Sequence, residues 1–104
     1  MVTPKEFRTL ALSLPGSTEM PHFEKASFRT KKKIFATLSE ENNQAVLKLS
    51  LVDQSVFCAF DKTIIYPVNN KWGKQGWTVV ELKKVRKSML KDALTTAYNT
   101  VNTQ

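Results

Sequence analysis

At 104 residues, with 41% apolar and 24% charged side chains, the chain is sized for one globular domain spanning residues 1–104, and two ordinary domains are excluded. A single cysteine, Cys58, excludes an internal disulfide, and no apolar run approaches the length that crosses a bilayer. Sixteen Lys and Arg against nine Asp and Glu give a net charge of +7 and a pI near 9.7, which favours polyanionic partners.

The opening MVTPKEFRTL lacks the charged start and apolar core of a signal peptide, so the expectation is a cytoplasmic protein with no membrane partner. The same segment announces a helix. Thr3 is an N-cap, Pro4 suits the first turn, and Glu6 can close a capping box on Thr3. Phe7, Leu10, Ala11 and Leu14 keep helical spacing until Pro15-Gly16 ends the element. From Ser27 the period changes to two. Ala26 and Phe28 are expected to face the core with Arg29 pointing away, and Ile34, Ala36 and Leu38 to do the same beyond the lysines. After the polar turn Glu40–Asn43, AVLKLSL alternates again and predicts a third antiparallel strand.

QSVFCAF reads as a short helix capped by Asp53 or the turn before it, with Cys58 as a small buried hydrophobe. Thr63–Val68 is rich in β-branched and aromatic residues, and Pro67 assigns it to a sheet edge or a strand end. NNKWGKQG, residues 69–76, is a turn-rich connection to a strand over Trp77–Leu82, with Trp77 expected in the core and Trp72 open to either packing or ligand contact. The final helix, from about Arg86 to Val101, carries the apolar stripe Leu90, Leu94, Ala97, Tyr98 and Val101. The expected fold class is α+β: a largely antiparallel sheet of about five strands, flanked by an N-terminal and a C-terminal helix.

Charge is segregated along this order. Residues 25–33 carry five cations and no acid, residues 62–91 eight cations and one acid, and residues 34–61 only Lys48 against four acids. The candidate nucleic-acid-binding residues are therefore Arg29, Lys31, Lys32 and Lys33 in the hairpin, with Lys71, Trp72 and Lys74 in the later loop, where lysines meet phosphates and an aromatic ring can stack. The chemistry of enzymes is poorly represented. One histidine, His22, and one thiol cannot make the usual zinc sites, no phosphate-cradling glycine motif occurs, and Glu40 and Glu41 sit in a solvated turn. The expectation is no catalytic residue, no metal and no cofactor.

LPGSTE, SFRTKKKIFATL, LKLS, KWGKQGW and ALTTAYNTV, in this order along nearly the whole chain, resemble the MmcQ/YjbR-like family of small bacterial proteins. The resemblance implies a CyaY-like fold, similar to a double-wing DNA-binding domain of a phage transcription activator, and a non-enzymatic DNA-binding role held by analogy of fold. The first helix, with Lys5, Glu6 and Arg8, lacks the acidic ridge by which frataxin-like proteins hold iron. One departure stands out: relatives often place glycines at the hairpin tip, where this chain has Lys31 and Lys32. Lysine suits positive φ poorly, so the tip is expected to be a type I turn or a longer loop. The alternative function is a small-ligand or protein-binding domain with an incidental basic surface, its crevice between the sheet and the 69–76 loop.

Overall fold

The structure, a computed structural model, describes residues 1–103. Helix α1 (Pro4–Leu12) starts as the sequence requires: Glu6 N–H donates to Thr3 Oγ1 and Thr3 N–H returns to Glu6 Oε1, both at 3.1 Å. Six strands follow: β1 (Thr18–His22), β2 (Lys25–Thr30), β3 (Lys33–Ser39), β4 (Gln44–Lys48), β5 (Ile65–Pro67) and β6 (Trp77–Glu81). Helix α2 (Leu51–Cys58) lies between β4 and β5, and α3 (Lys87–Asn102) closes the chain. The strands form one antiparallel sheet in the order β1-β2-β3-β4-β6-β5.

All three helices cover one face. Phe7 of α1 packs edge-on against Phe28, α3 lies across β2, β3 and β4, and Tyr98 meets Phe35 edge-on. At the β5 edge, Gln54 of α2 is buried and donates to Thr78 Oγ1 at 3.1 Å and to Gly73 O at 2.9 Å. The core between these layers is Phe7, Phe28, Phe35, Leu38, Leu47, Leu49, Val80, Leu82, Leu90 and Leu94, each almost fully buried. Cys58 is buried here on α2, and desolvation pushes its thiol pKa up, as expected of a packed cysteine rather than a nucleophile.

Three sequence expectations are corrected. The sheet has six strands, not about five, because TEMPH carries no apolar alternation to signal β1. It is an edge strand whose residues are exposed or half-exposed, where Pro21 is tolerated. Ile34 does not share a face with Ala36 and Leu38. Phe28 pairs with Ala36 but Arg29 pairs with Ile34, so Phe35 is an extra, bulged residue and Ile34 turns to the opposite face. The hairpin tip is neither a type I turn nor a longer loop. Lys31 and Lys32 alone connect β2 to β3, with φ of +52° and +68°, the type I′ pattern that the right-handed twist of a two-residue hairpin demands.

Candidate functional site

The helix-free face of the sheet is open. Pairing places Met20, Ser27, Thr37, Val46, Val79 and Tyr66 in one row across it, from the β1 edge to the β5 edge. The sheet curls enough that His22 and Lys25 at one edge and Val68 at the other line a single groove of about 410 Å³, floored by Ile34, Thr37 and Val46 and walled by Trp72 and Trp77. Trp77 is thus a half-buried member of the open face and not a core residue. Position parity explains this: Thr78, Val80 and Leu82 take the core side, leaving Trp77 and Val79 outside.

The 68–76 loop holds Trp72 rigidly. Trp72 N–H donates to Asn70 Oδ1 at 2.8 Å, its carbonyl accepts from Gln75 and Trp77, and Gln54 pins the following turn, Gly73–Gln75, through Gly73 O. A Cβ on Gly73 would lie 2.0 Å from Val68 O, so the loop's close approach to the β5 end needs glycine there. Trp72 is 48% exposed, with Lys71 Nζ 5.7 Å from its ring centroid, while Lys48 Nζ sits 5.7 Å from that of Trp77.

The register gathers the cations at one end of the sheet. The β2–β3 tip, the end of β4, the start of β6 and the 68–76 loop all lie there, so Arg29, Lys31, Lys32, Lys33, Lys48, Lys71 and Lys74 are brought to one end, and these segments contain no carboxylate. They do not share one face. Arg29 lies on the open face, where Nε donates to Ser27 Oγ at 3.2 Å. Lys33 pairs with the helix-side Thr30, and Lys31 Nζ donates to Asn102 O at 3.0 Å, at the C-terminal end of α3 where a cation is favoured. Lys32 is exposed at the tip, and Lys74 stands on the turn beyond Trp72.

The other end is electrically mixed, with Glu24, Glu40, Glu41, Asp61 and Glu81 near Lys25, Lys62, Lys83 and Lys84. Arg8 is already engaged: Nε donates to Glu19 at 2.9 Å and Nη1 to Glu40 at 2.6 Å. Lys87 pairs with Glu6 at 3.4 Å. Tyr66 hydrogen-bonds the Glu81 carboxylate and is not part of the groove. That bond, with burial second, pushes the Tyr66 hydroxyl up to about 12. Because the folded value lies above the ordinary value near 10, the stabilisation is complete below pH ~10 and is lost as pH rises towards about 12. An alkaline absorbance titration should therefore show a phenolate step near pH 12 that Tyr66→Phe removes; removal of a step near 10 instead would contradict the Glu81 bond.

Two features of this face escaped the sequence. Phe23 lies with Glu24 in the two-residue β1–β2 turn at φ +59°, and its ring is 95% exposed, touching His22 edge-on at 4.9 Å. No periodic signal surrounds it. His22 and Lys25 reach the groove only because the sheet curls. Cys58 lies on the helix side and His22 on the open face, which separates the one thiol from the one histidine. Among the described residues no group of three His, Cys, Asp or Glu could hold a metal ion, and no helix is long and apolar enough to cross a membrane.

Fold and sequence together define a small open-sheet α+β protein, and its kinship is specific. The YjbR family model matches residues 12–100, and the chain belongs to that family. The crystal structure of the Deinococcus radiodurans protein DR2400, assigned to DUF419, is similar with a TM-score of 0.87 at 22% identity, covering 100% of this chain and 81% of that one. A Pseudomonas syringae protein solved by structural genomics gives a TM-score of 0.73 at 15% identity, covering 96% of this chain and 99% of that one. No curated protein matches the chain significantly.

Proposed function

We propose that this chain is a non-enzymatic DNA-binding module whose basic sheet end meets the phosphate backbone. The observation that carries the reading is the conformation of Lys31 and Lys32. A type I′ turn favours Asn-Gly, and each lysine held at positive φ costs on the order of 1 kcal/mol. Lys31 has a partner within the fold in Asn102 O, but Lys32 is strained and exposed at the tip with no such partner, which points to a role outside the fold. The concentration of cations around them, on strand ends and loops without a carboxylate, supplies the attraction.

The double replacement Lys31→Asn with Lys32→Gly separates the two effects. It should stabilise the domain by about 1 kcal/mol, the relief of both positive φ angles less the loss of the Lys31–Asn102 O hydrogen bond. Duplex affinity should fall several-fold at low salt, with the salt slope reduced in magnitude by about 1, the share of Lys32. Unchanged affinity and slope would remove the hairpin from the interface.

The groove favours a second reading, a small-ligand domain, since its volume lies in the range of ligand pockets, about 300–1,000 Å³. It leaves the strained lysines and the gathered cations without a role, so the DNA reading stands first.

A further inference from the structure

Two large aromatic rings, one on the groove wall and one in the turn beside its His22 rim, have no structural role that requires their exposure. Trp72 is presented from a clasped loop with nearly half its surface free, and Phe23 is almost wholly free at the tip of the β1–β2 hairpin. Phe23 is also strained: a bulky side chain at φ +59° in a turn where glycine fits is an outlier that the fold does not need. The groove floor of Ile34, Thr37 and Val46 runs from Trp72 to His22, whose ring Phe23 touches edge-on, and is reached by Lys25 and flanked by Lys48 and Lys71. Arg29 lies on the same face. Apolar floor, exposed flat rings and surrounding cations are the parts of a stacking platform for bases whose backbone is held by charge.

A duplex keeps its base faces stacked on one another and offers nothing to Trp72 or Phe23, whereas an unpaired strand offers a flat apolar face at every nucleotide. We propose that the curled open face is a groove for single-stranded DNA, in which unpaired bases stack on Trp72 and Phe23 while Lys25, Arg29 and Lys71 meet the phosphates. The proposal rests on the nucleic-acid reading above and adds the state of the strand. Lys71 already lies against the Trp72 ring, so a base stacked there brings its phosphate to a cation that is in place, with Lys48, bonded to Gln75 O, beside Trp77 behind it.

The test is a fluorescence-anisotropy titration of a labelled oligothymidylate and of a duplex of equal length, at about 50 mM salt, with the wild-type chain and the variants Trp72→Ala, Trp72→Phe and Phe23→Gly. Single strands should bind at least about tenfold tighter than the duplex, and Trp72→Ala and Phe23→Gly should each weaken single-strand binding by about 5- to 100-fold. Trp72→Phe keeps a ring and should retain most of the affinity. Phe23→Gly relieves the positive φ, so its loss of binding cannot come from a weakened fold. Duplex affinity should change less than about twofold in every variant. Equal or tighter binding of the duplex, or single-strand affinity indifferent to both ring deletions, would overturn the stacking groove and leave the phosphate reading intact. Displacement of the oligomer by thymidine monophosphate at similar concentration would overturn it also, since a lone nucleotide would then suffice. Absence of binding by either form of DNA would instead remove the DNA reading and the groove with it.

Discussion

Raising the salt concentration from about 50 to about 200 mM should weaken duplex DNA binding roughly 250-fold. Of the cations at the basic sheet end, Lys31 is engaged with Asn102 O and Lys48 with Gln75 O, leaving Arg29, Lys32, Lys33, Lys71 and Lys74 as the expected phosphate contacts. Four or five contacts, each releasing a condensed counterion, give a slope of about −4 for log affinity against log salt, and a fourfold rise in salt then gives that loss. Affinity near physiological ionic strength should be micromolar or weaker, with little dependence on duplex sequence. Lysines act as point charges, and Arg8, which could have forked onto a base edge, is clamped by Glu19 and Glu40. Titrations at several salt concentrations check both statements. A slope near zero would transfer the cations to a solubility role and leave the groove as the remaining site.

Gly76→Ala should destabilise the fold by about 3 kcal/mol or more and lower the melting temperature by about 12 to 24 °C. Two terms combine at this position. The residue has φ +104°, and a Cβ there would lie 1.8 Å from Leu49 O, a backbone atom that cannot swing aside. Leu49 is itself a buried core residue whose N–H donates to Gly76 O at 3.0 Å, so relief must shift either the end of β4 or the start of β6. Gly16→Ala is the control. Gly16 has φ +75° but nothing within 4 Å of its notional Cβ, so only the conformational term applies and the loss should be about 1 kcal/mol. Thermal melts of the two variants then isolate the steric part, and equal losses would contradict the close approach at Leu49.

The ends of the chain were legible because their signals are local. Thr3, Pro4 and Glu6 encode the start of α1 within one turn, and the stripe from Leu90 to Val101 repeats often enough to specify α3. The strands β4 and β6 alternate cleanly enough to show which residues share a face, but the sequence places Trp77 in the core and the structure puts it on the open face. Alternation tells which residues travel together, not which set the helices cover, and a tryptophan is apolar enough for either side. The strand β1 gives no alternation at all, since an edge strand buried on neither face has no pattern to keep. The lysine tip was misread for an energetic reason: preference argues against positive φ, but the two-residue hairpin imposes it.

Of the candidate site residues, Lys32, Lys33, Lys71 and Lys74 lie at the basic end with their charge unpaired among the ion pairs of the described residues, while Lys31 caps α3. Trp72 lies where an open choice between packing and contact had left it, half in and half out. His22 and Lys25 carry no sequence signal because their proximity to Trp72 is a product of sheet curl, a property of the assembled strands. Gln54 was likewise hidden: a glutamine in an apolar helix reads as its solvent side, yet it is the buried clasp of the tryptophan loop.

The extra residue at Phe35 acts as a change of parity. Upstream of it the side chains of β3 fall on the side opposite to the one that counting from Leu38 predicts, so Ile34 becomes groove floor and Lys33 lies towards the helices. Loss of Phe35 itself would restore plain alternation with Ile34 still opposite Ala36 on the open face, so the bulge lets β3 carry Phe35 without moving the groove floor. Phe35 and Ala36 face the helices from consecutive positions, so the strand gives the core one side chain more than strict alternation allows, and that extra side chain is the ring that meets Tyr98.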